Sequence, residues 1–338
     1  MKQAKWIVVI LAALAVAGCT KKEAPAPAAE EKAAAEPEKP AATTEPILPL
    51  PDSADVNMDK VLLGRSLYFD TALSGDGTVA CATCHMLEHG GAEPRKTSAG
   101  IGGQIGPINS PTVLNSSYNF VQFWDGRAKD LQEQAAGPVE NPIEMGTKWE
   151  DVVKRLAKNE EYAATFAKLY EDGITKANTT DAIAEYEKSL ITPSRFDAYL
   201  KGDDTAITDA EKKGYATFKE VGCTACHSGI NVGGAMFQKL GLVKDYFADR
   251  GTPITDADLG RYNVTKQDYD KYFFKVPTLR NVELTAPYLH DGSQATLEDT
   301  VRVMGTYQLG RELTDAQVNS IVTFLKSLTG ELPAHAKL

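Results

Sequence analysis

The sequence predicts a mainly α-helical protein built of two similar halves, and three observations carry that prediction. Cys-x-x-Cys-His occurs twice, as Cys81-Ala-Thr-Cys84-His85 and Cys223-Thr-Ala-Cys226-His227. A glycine followed four residues on by an aromatic precedes each copy, Gly64 with Tyr68 and Gly214 with Phe218. No long alternation of apolar and polar residues occurs, so strands have little to build on.

Each motif is the attachment signature of a c-type haem: two thiols for thioether bonds, then an imidazole for the iron. One short turn must reach both vinyl groups and still set the histidine under the metal. A redox dithiol and half of a zinc site are the other readings, and neither needs a histidine directly after the second cysteine. Two covalently attached haem c groups imply two cytochrome c-like domains, assigned to 48–202 and 203–338.

The elements follow in order. Residues 1–18 read as a lipoprotein signal peptide: Lys2 and Lys5, an apolar stretch from Trp6 to Ala17, then Val16-Ala17-Gly18-Cys19. Cys19 is the expected lipid attachment site, with an ordinary signal peptide cut elsewhere as the alternative. Thr20, rather than Asp, follows it, which favours the outer membrane, and the location implied is a lipid-anchored periplasmic one. Residues 19–47 are almost wholly Ala, Pro, Glu and Lys, a composition too poor in apolar surface to fold, and read as a tether. In the first domain, helical periodicity fills 149–170 and 180–199. In the second, Thr208-Asp-Ala-Glu211 is a capping box, and Thr314-Asp-Ala-Gln317 opens a last helix with Ile321, Phe324, Leu325 and Leu328 on one face. Gly330 and Pro333 stop it. The formal charge of -10 argues against a nucleic-acid partner and favours a basic redox protein.

All cysteines are accounted for: of 5, four lie in the motifs and the other is Cys19, so no disulfide is needed. Of 5 histidines, His85 and His227 are the proximal ligands. His89 lies on the same side as His85, His335 sits in a polar tail, and His290 is the well-placed spare. Among 6 methionines, Met304 stands just before the last helix, where a cytochrome c places its axial ligand. Met236 is too close to His227. A core methionine is the alternative reading of Met304; a His227/Met304 haem would be closed and high in potential.

Longer segments carry a family resemblance. They are Asn109-Ser-Pro-Thr-Val-Leu-Asn115, Gln122-Phe-Trp-Asp-Gly-Arg127, Asn141-Pro-Ile-Glu-Met-Gly146, Lys275-Val-Pro-Thr-Leu-Arg-Asn281, Thr285-Ala-Pro-Tyr-Leu-His-Asp-Gly292 and Met304 to Leu309. With them the globular part resembles the bacterial diheme cytochrome c peroxidases, the family that includes the MauG-like enzymes. The resemblance implies reduction of hydrogen peroxide to water with electrons from a small redox protein such as a monohaem cytochrome c. It makes Glu144 the acid/base group, Gln134 the residue that orients peroxide, Phe123 a pocket wall and Trp124 the relay between haems. Electrons would enter at the His227/Met304 haem and pass to the His85 haem. It further implies calcium held between the domains by Asn109, Thr285 and Pro287, a propionate or scaffold role for His290, and homodimers of the kind family members form. Without the resemblance, Glu144 reads as a solvated loop residue and Trp124 as core.

One departure stands out. Where many family members carry a distal histidine that caps the first iron, this chain has Ile101, within Thr97-Ser-Ala-Gly-Ile101. Isoleucine cannot ligate iron, which predicts an open site that needs no reductive activation. A substitute ligand, Lys96 or Met86, and an impaired loop are the competing readings. Two other functions stay in view: a diheme electron carrier, which needs neither Glu144 nor Gln134, and a MauG-like oxidase, whose tyrosine ligand Met304 replaces.

Overall fold

The computed structural model describes residues 45–337, which belong to one compact unit. The signal segment, Cys19 and the tether as far as 44 lie outside the described residues. Twelve α-helices carry the fold among those residues. In the first half they are α1 (Met58–Phe69), α2 (Cys81–Cys84), α3 (Leu131–Glu140), α4 (Trp149–Leu156), α5 (Glu160–Leu169), α6 (Lys176–Ser189) and α7 (Arg195–Leu200). In the second they are α8 (Asp209–Val221), α9 (Tyr246–Asp249), α10 (Tyr262–Thr265), α11 (Leu297–Val303) and α12 (Asp315–Lys326). The short strands β1 (Phe237–Lys239) and β2 (Phe273–Lys275) pair antiparallel, Gln238 opposite Phe274. The mainly α class is as the sequence predicts.

The two glycine-aromatic pairs turn out to be helix-crossing devices. A side chain at Gly64 would collide with the Ala182 carbonyl of α6, and one at Gly214 with the Ser320 carbonyl of α12. Each half is therefore a pair of helices touching backbone to backbone, α1 on α6 and α8 on α12, with Tyr68 and Phe218 fully buried one turn further on. The expected capping box forms at Thr208 with Glu211, and another opens the last helix at Thr314 with Gln317.

Two expected helices are shorter than their periodicity. The 149–170 run breaks where Asn159 turns out of helical geometry and caps α5 by accepting from the Glu161 and Tyr162 amides at 2.9 and 3.2 Å. The 180–199 run stops at Ser189, because Pro193 cannot continue a helix and Ser194 starts α7 with its own capping box. Apolar periodicity survives such a break, since both pieces still face one core.

The halves do not divide cleanly at 202. Packing begins at Glu45, not at 48: Tyr215 donates to the Glu45 carboxylate, the Gly229 amide to the Pro46 carbonyl, and Ile47 joins the core of the second half. At the other end, Leu332 and Ala336 pack with Val61 and Tyr68 of the first half, and His335 Nε2 lies 2.7 Å from Ser189 Oγ. Between the halves, Asp197 and Arg280 form a fully buried bidentate pair, both bonds 2.9 Å. The Leu50 amide also donates to Asp197 at 2.7 Å.

Candidate haem and peroxide site

The helix crossings and the motif turns set both proximal histidines from the backbone. His85 Nδ1 donates to the Pro111 carbonyl at 3.0 Å and His227 Nδ1 to the Val232 carbonyl at 3.3 Å, which leaves each Nε2 for a metal. Burial holds both imidazoles neutral, His227 at about 4, so their lone pairs are available near pH 7. Tyr68 Oη donates to the His85 carbonyl and fixes the turn from α1. No disulfide joins the motif cysteines. Burial pushes Cys81 and Cys84 up to about 12 and Cys223 to about 11. Redox dithiols and zinc thiolates need the opposite shift, so these thiols suit thioether attachment.

Each motif opens on its own cavity. The first is lined by Cys81, Cys84 and His85 together with Phe123, Trp124, Gln134 and Glu144. The second is lined by Cys223, Cys226, His227 and Met304, with His290 and Trp124. All residues proposed from the sequence for haem attachment, axial ligation and acid/base work thus converge on two walls, and Trp124 belongs to both. Lys275, buried and drawn down to about 8 by desolvation, also lines the second cavity, a cation suited to a haem carboxylate side chain. The residues present fit two haems.

Glu144 sits at the end of the turn that follows α3. Its carboxylate accepts from Asn141 Nδ2 at 2.8 Å, and its backbone carbonyl accepts from the Ile101 amide at 2.9 Å. Burial raises its pKa, offset in part by the Arg127 guanidinium and the Asn141 bond. Arg127 itself lies over the Phe123 ring, 3.4 Å from its centroid, and Phe123 holds a left-handed backbone at φ 67°. Arg127 went unassigned in the sequence, although its place two residues after Asp125 in the Trp-Asp-Gly-Arg turn was visible there.

Trp124 is clamped from both sides. Its indole Nε1 donates to the Asn109 carbonyl at 2.9 Å, and its own carbonyl accepts from the Lys275 amide at 2.8 Å. The Asn109 amide in turn donates to the His290 carbonyl at 2.8 Å. His290 Nε2 is bound 2.8 Å from Asp258 Oδ1, and its ring stacks on Phe274 at 4.5 Å.

Asn109, Thr285 and Pro287 meet on the wall of the second cavity. Asn109 commits its amide nitrogen to the Arg95 and Lys96 carbonyls at 3.1 and 3.4 Å, leaving oxygen as the free end, as a hard cation requires. The carboxylates Asp258 and Asp291, which cluster with His290, are filled by Arg250, whose guanidinium reaches them at 2.6 and 3.2 Å.

Ile101 does not face the first cavity, and neither Lys96 nor Met86 lines it. Its side chain packs against Gly146 and the core of the first half. Gln104 Nε2 donates to the Pro142 carbonyl at 3.0 Å, which docks the same loop a second time.

The comparisons with known proteins agree. A sequence model described as di-haem cytochrome c peroxidase matches residues 58–205. The cytochrome c peroxidase of Escherichia coli is 51% identical over 289 residues, which is 85% of this chain but 61% of that protein. The cytochrome c551 peroxidase of Nitrosomonas europaea is 48% identical over 294 residues, 86% of each chain. Among solved structures, a MauG-like protein associated with microbial copper homeostasis superposes with a TM-score of 0.74 at 27% identity, covering 88% of this chain and 96% of that one.

Proposed function

Because the chain belongs to the di-haem cytochrome c peroxidase family, we propose that it reduces hydrogen peroxide to water with electrons from a small redox protein. Two electrons and two protons turn one peroxide into two waters, and the covalently held haems supply the one-electron chemistry. The observation that carries the reading is Glu144, a desolvated carboxylate on the cavity wall of His85 with Gln134 and Phe123. Glu144 takes the first proton from peroxide and returns it to the leaving oxygen, work for which a raised pKa suits a carboxylate. Gln134 orients peroxide by its side-chain amide, and Phe123 keeps water out. Met304 and His227, which line one cavity, would be the axial pair of the second haem, and Trp124, which lines both cavities, would relay electrons to the first. A pure electron carrier has no use for Glu144.

The docked loop supports an open first site. With Ile101 turned into the core, and Lys96 and Met86 off the cavity wall, no side chain of the loop stands ready to cap the iron. Peroxide consumption by the fully oxidised holoprotein, compared with enzyme pre-reduced by one electron, tests this. Equal rates and a high-spin ferric signal are expected; activity after pre-reduction alone would mean that another ligand guards the site. Calcium at Asn109, Thr285 and Pro287, a lipid on Cys19 with a periplasmic location, and homodimers complete the reading. Chelation followed by sedimentation checks the first and last, and fatty-acid labelling of the wild type against Cys19→Ser checks the anchor.

A further inference from the structure

Glu187 belongs to no step described so far. It lies on α6, one helical turn after Ile183, and both residues line the cavity of His85. Its neighbours on that face are apolar, yet it is a carboxyl group only 4% exposed, and its Oε2 has no hydrogen-bond partner among the described residues. A buried acceptor left unpaired is destabilising, so a leucine would have suited the position better. The backbone contact at Gly64 brings α6 close enough to α1 to aim this carboxyl beside the first haem motif.

We propose that Glu187 is a redox-linked proton site, holding a proton while the neighbouring haem is reduced and releasing it when that haem is oxidised. The proposal rests on the haem reading above. Oxidation removes one electron and leaves one added positive charge in a cavity of low dielectric, where an anion at Glu187 becomes favourable. The carboxyl O–H bond breaks, the proton leaves to solvent, and reduction by the donor restores both. The groups that face Glu187 cannot substitute for it. Tyr68 of α1 and Tyr186 of its own helix are held in the neutral form by burial, and Cys81 of α2 is consumed by attachment. Arg65 of α1 stands by Tyr186. Glu144 and Arg127 line the same cavity. Burial alone lifts Glu187 to about 8, within reach of a charge change at neutral pH.

The test is a redox titration of the holoprotein, followed in the haem absorption bands from pH 6 to pH 10, on wild type, Glu187→Gln and Glu144→Gln. One of the two one-electron midpoints should fall as pH rises in wild type and in Glu144→Gln, and should be level in Glu187→Gln. A level wild-type profile, or a slope that survives Glu187→Gln, overturns the proposal. A chain that matures without haem on Cys81 and Cys84 defeats the haem reading instead, and is recognised by its single c-type spectrum. Folding of the variant is checked independently. Glutamine mimics the neutral acid, so its thermal melting should match wild type near pH 5. It should exceed wild type increasingly up to about pH 8 and by a constant margin above that, because ionisation in the unfolded chain, from about 4.5 upwards, penalises the wild-type fold until the folded carboxyl ionises as well.

Discussion

At Glu144 two opposing effects meet. Desolvation raises its pKa, while Arg127 and Asn141 pull it back. As a base it must be ionised to accept the first proton, so the acid limb of kcat/KM lies above the usual glutamate range. Arg127→Gln removes a cation and should move that limb to still higher pH, read from a pH–rate profile. Glu144→Gln should lose the limb altogether and cost roughly 10²–10⁴ in kcat, the usual worth of a positioned acid/base group. Met304 gives a second, spectroscopic prediction. Met304→Ala should lower the potential of one haem and convert its low-spin signal to high-spin, because a thioether ligand raises potential. Spacing alone pointed to the motif cysteines, His85 and His227, since covalent attachment fixes it, whereas Met304 was singled out by its place before the last helix. Glu144, Gln134 and Trp124 were legible only through resemblance, because a carboxylate or indole in a loop has no periodic signature. Glu187 was missed for a related reason: within the run of α6 it reads as one more polar helix position.

Elements are where the internal repeat becomes physical. Gly64 and Gly214 each let two helices touch at the backbone, so Gly64→Val should cost roughly 1–3 kcal/mol in denaturant unfolding. The upper end is expected, since the Ala182 carbonyl cannot rotate away as a side chain could. A second repeat lies beneath the first. Pro111-Thr-Val-Leu-Asn115 and Pro277-Thr-Leu-Arg-Asn281 each end on an asparagine in the left-handed region, φ 58° and 59°. Both asparagines donate to one hydroxyl, Thr192 Oγ1, at 2.8 Å. The sequence shows the matching letters, but nothing in it says that they meet at a shared threonine. Helix ends were misjudged at 159 and 190 for the opposite reason: the local caps override a periodicity that continues past them.

The whole molecule depends on contacts that join its halves. Asp197→Ala would strand Arg280 without a counter-charge in a position of zero exposure, and removal of one partner of such a pair costs about 3–5 kcal/mol. Thermal unfolding should then lose cooperativity, with the two haem environments melting apart when followed by absorbance. No helix among the described residues is long and apolar enough to cross a membrane.

The exchanged ends also set an order of events. A ribosome delivers Glu45 to Leu50 first, but their partners around Tyr215, Gly229 and Asp197 come more than a hundred residues later. Leu332 and Ala336, which close over Tyr68 and so over the turn that carries His85, come later than all of these partners. The first half therefore stays unsealed until Leu332 and Ala336 have followed it, and the turn that carries Cys81, Cys84 and His85 is covered only when those two residues dock.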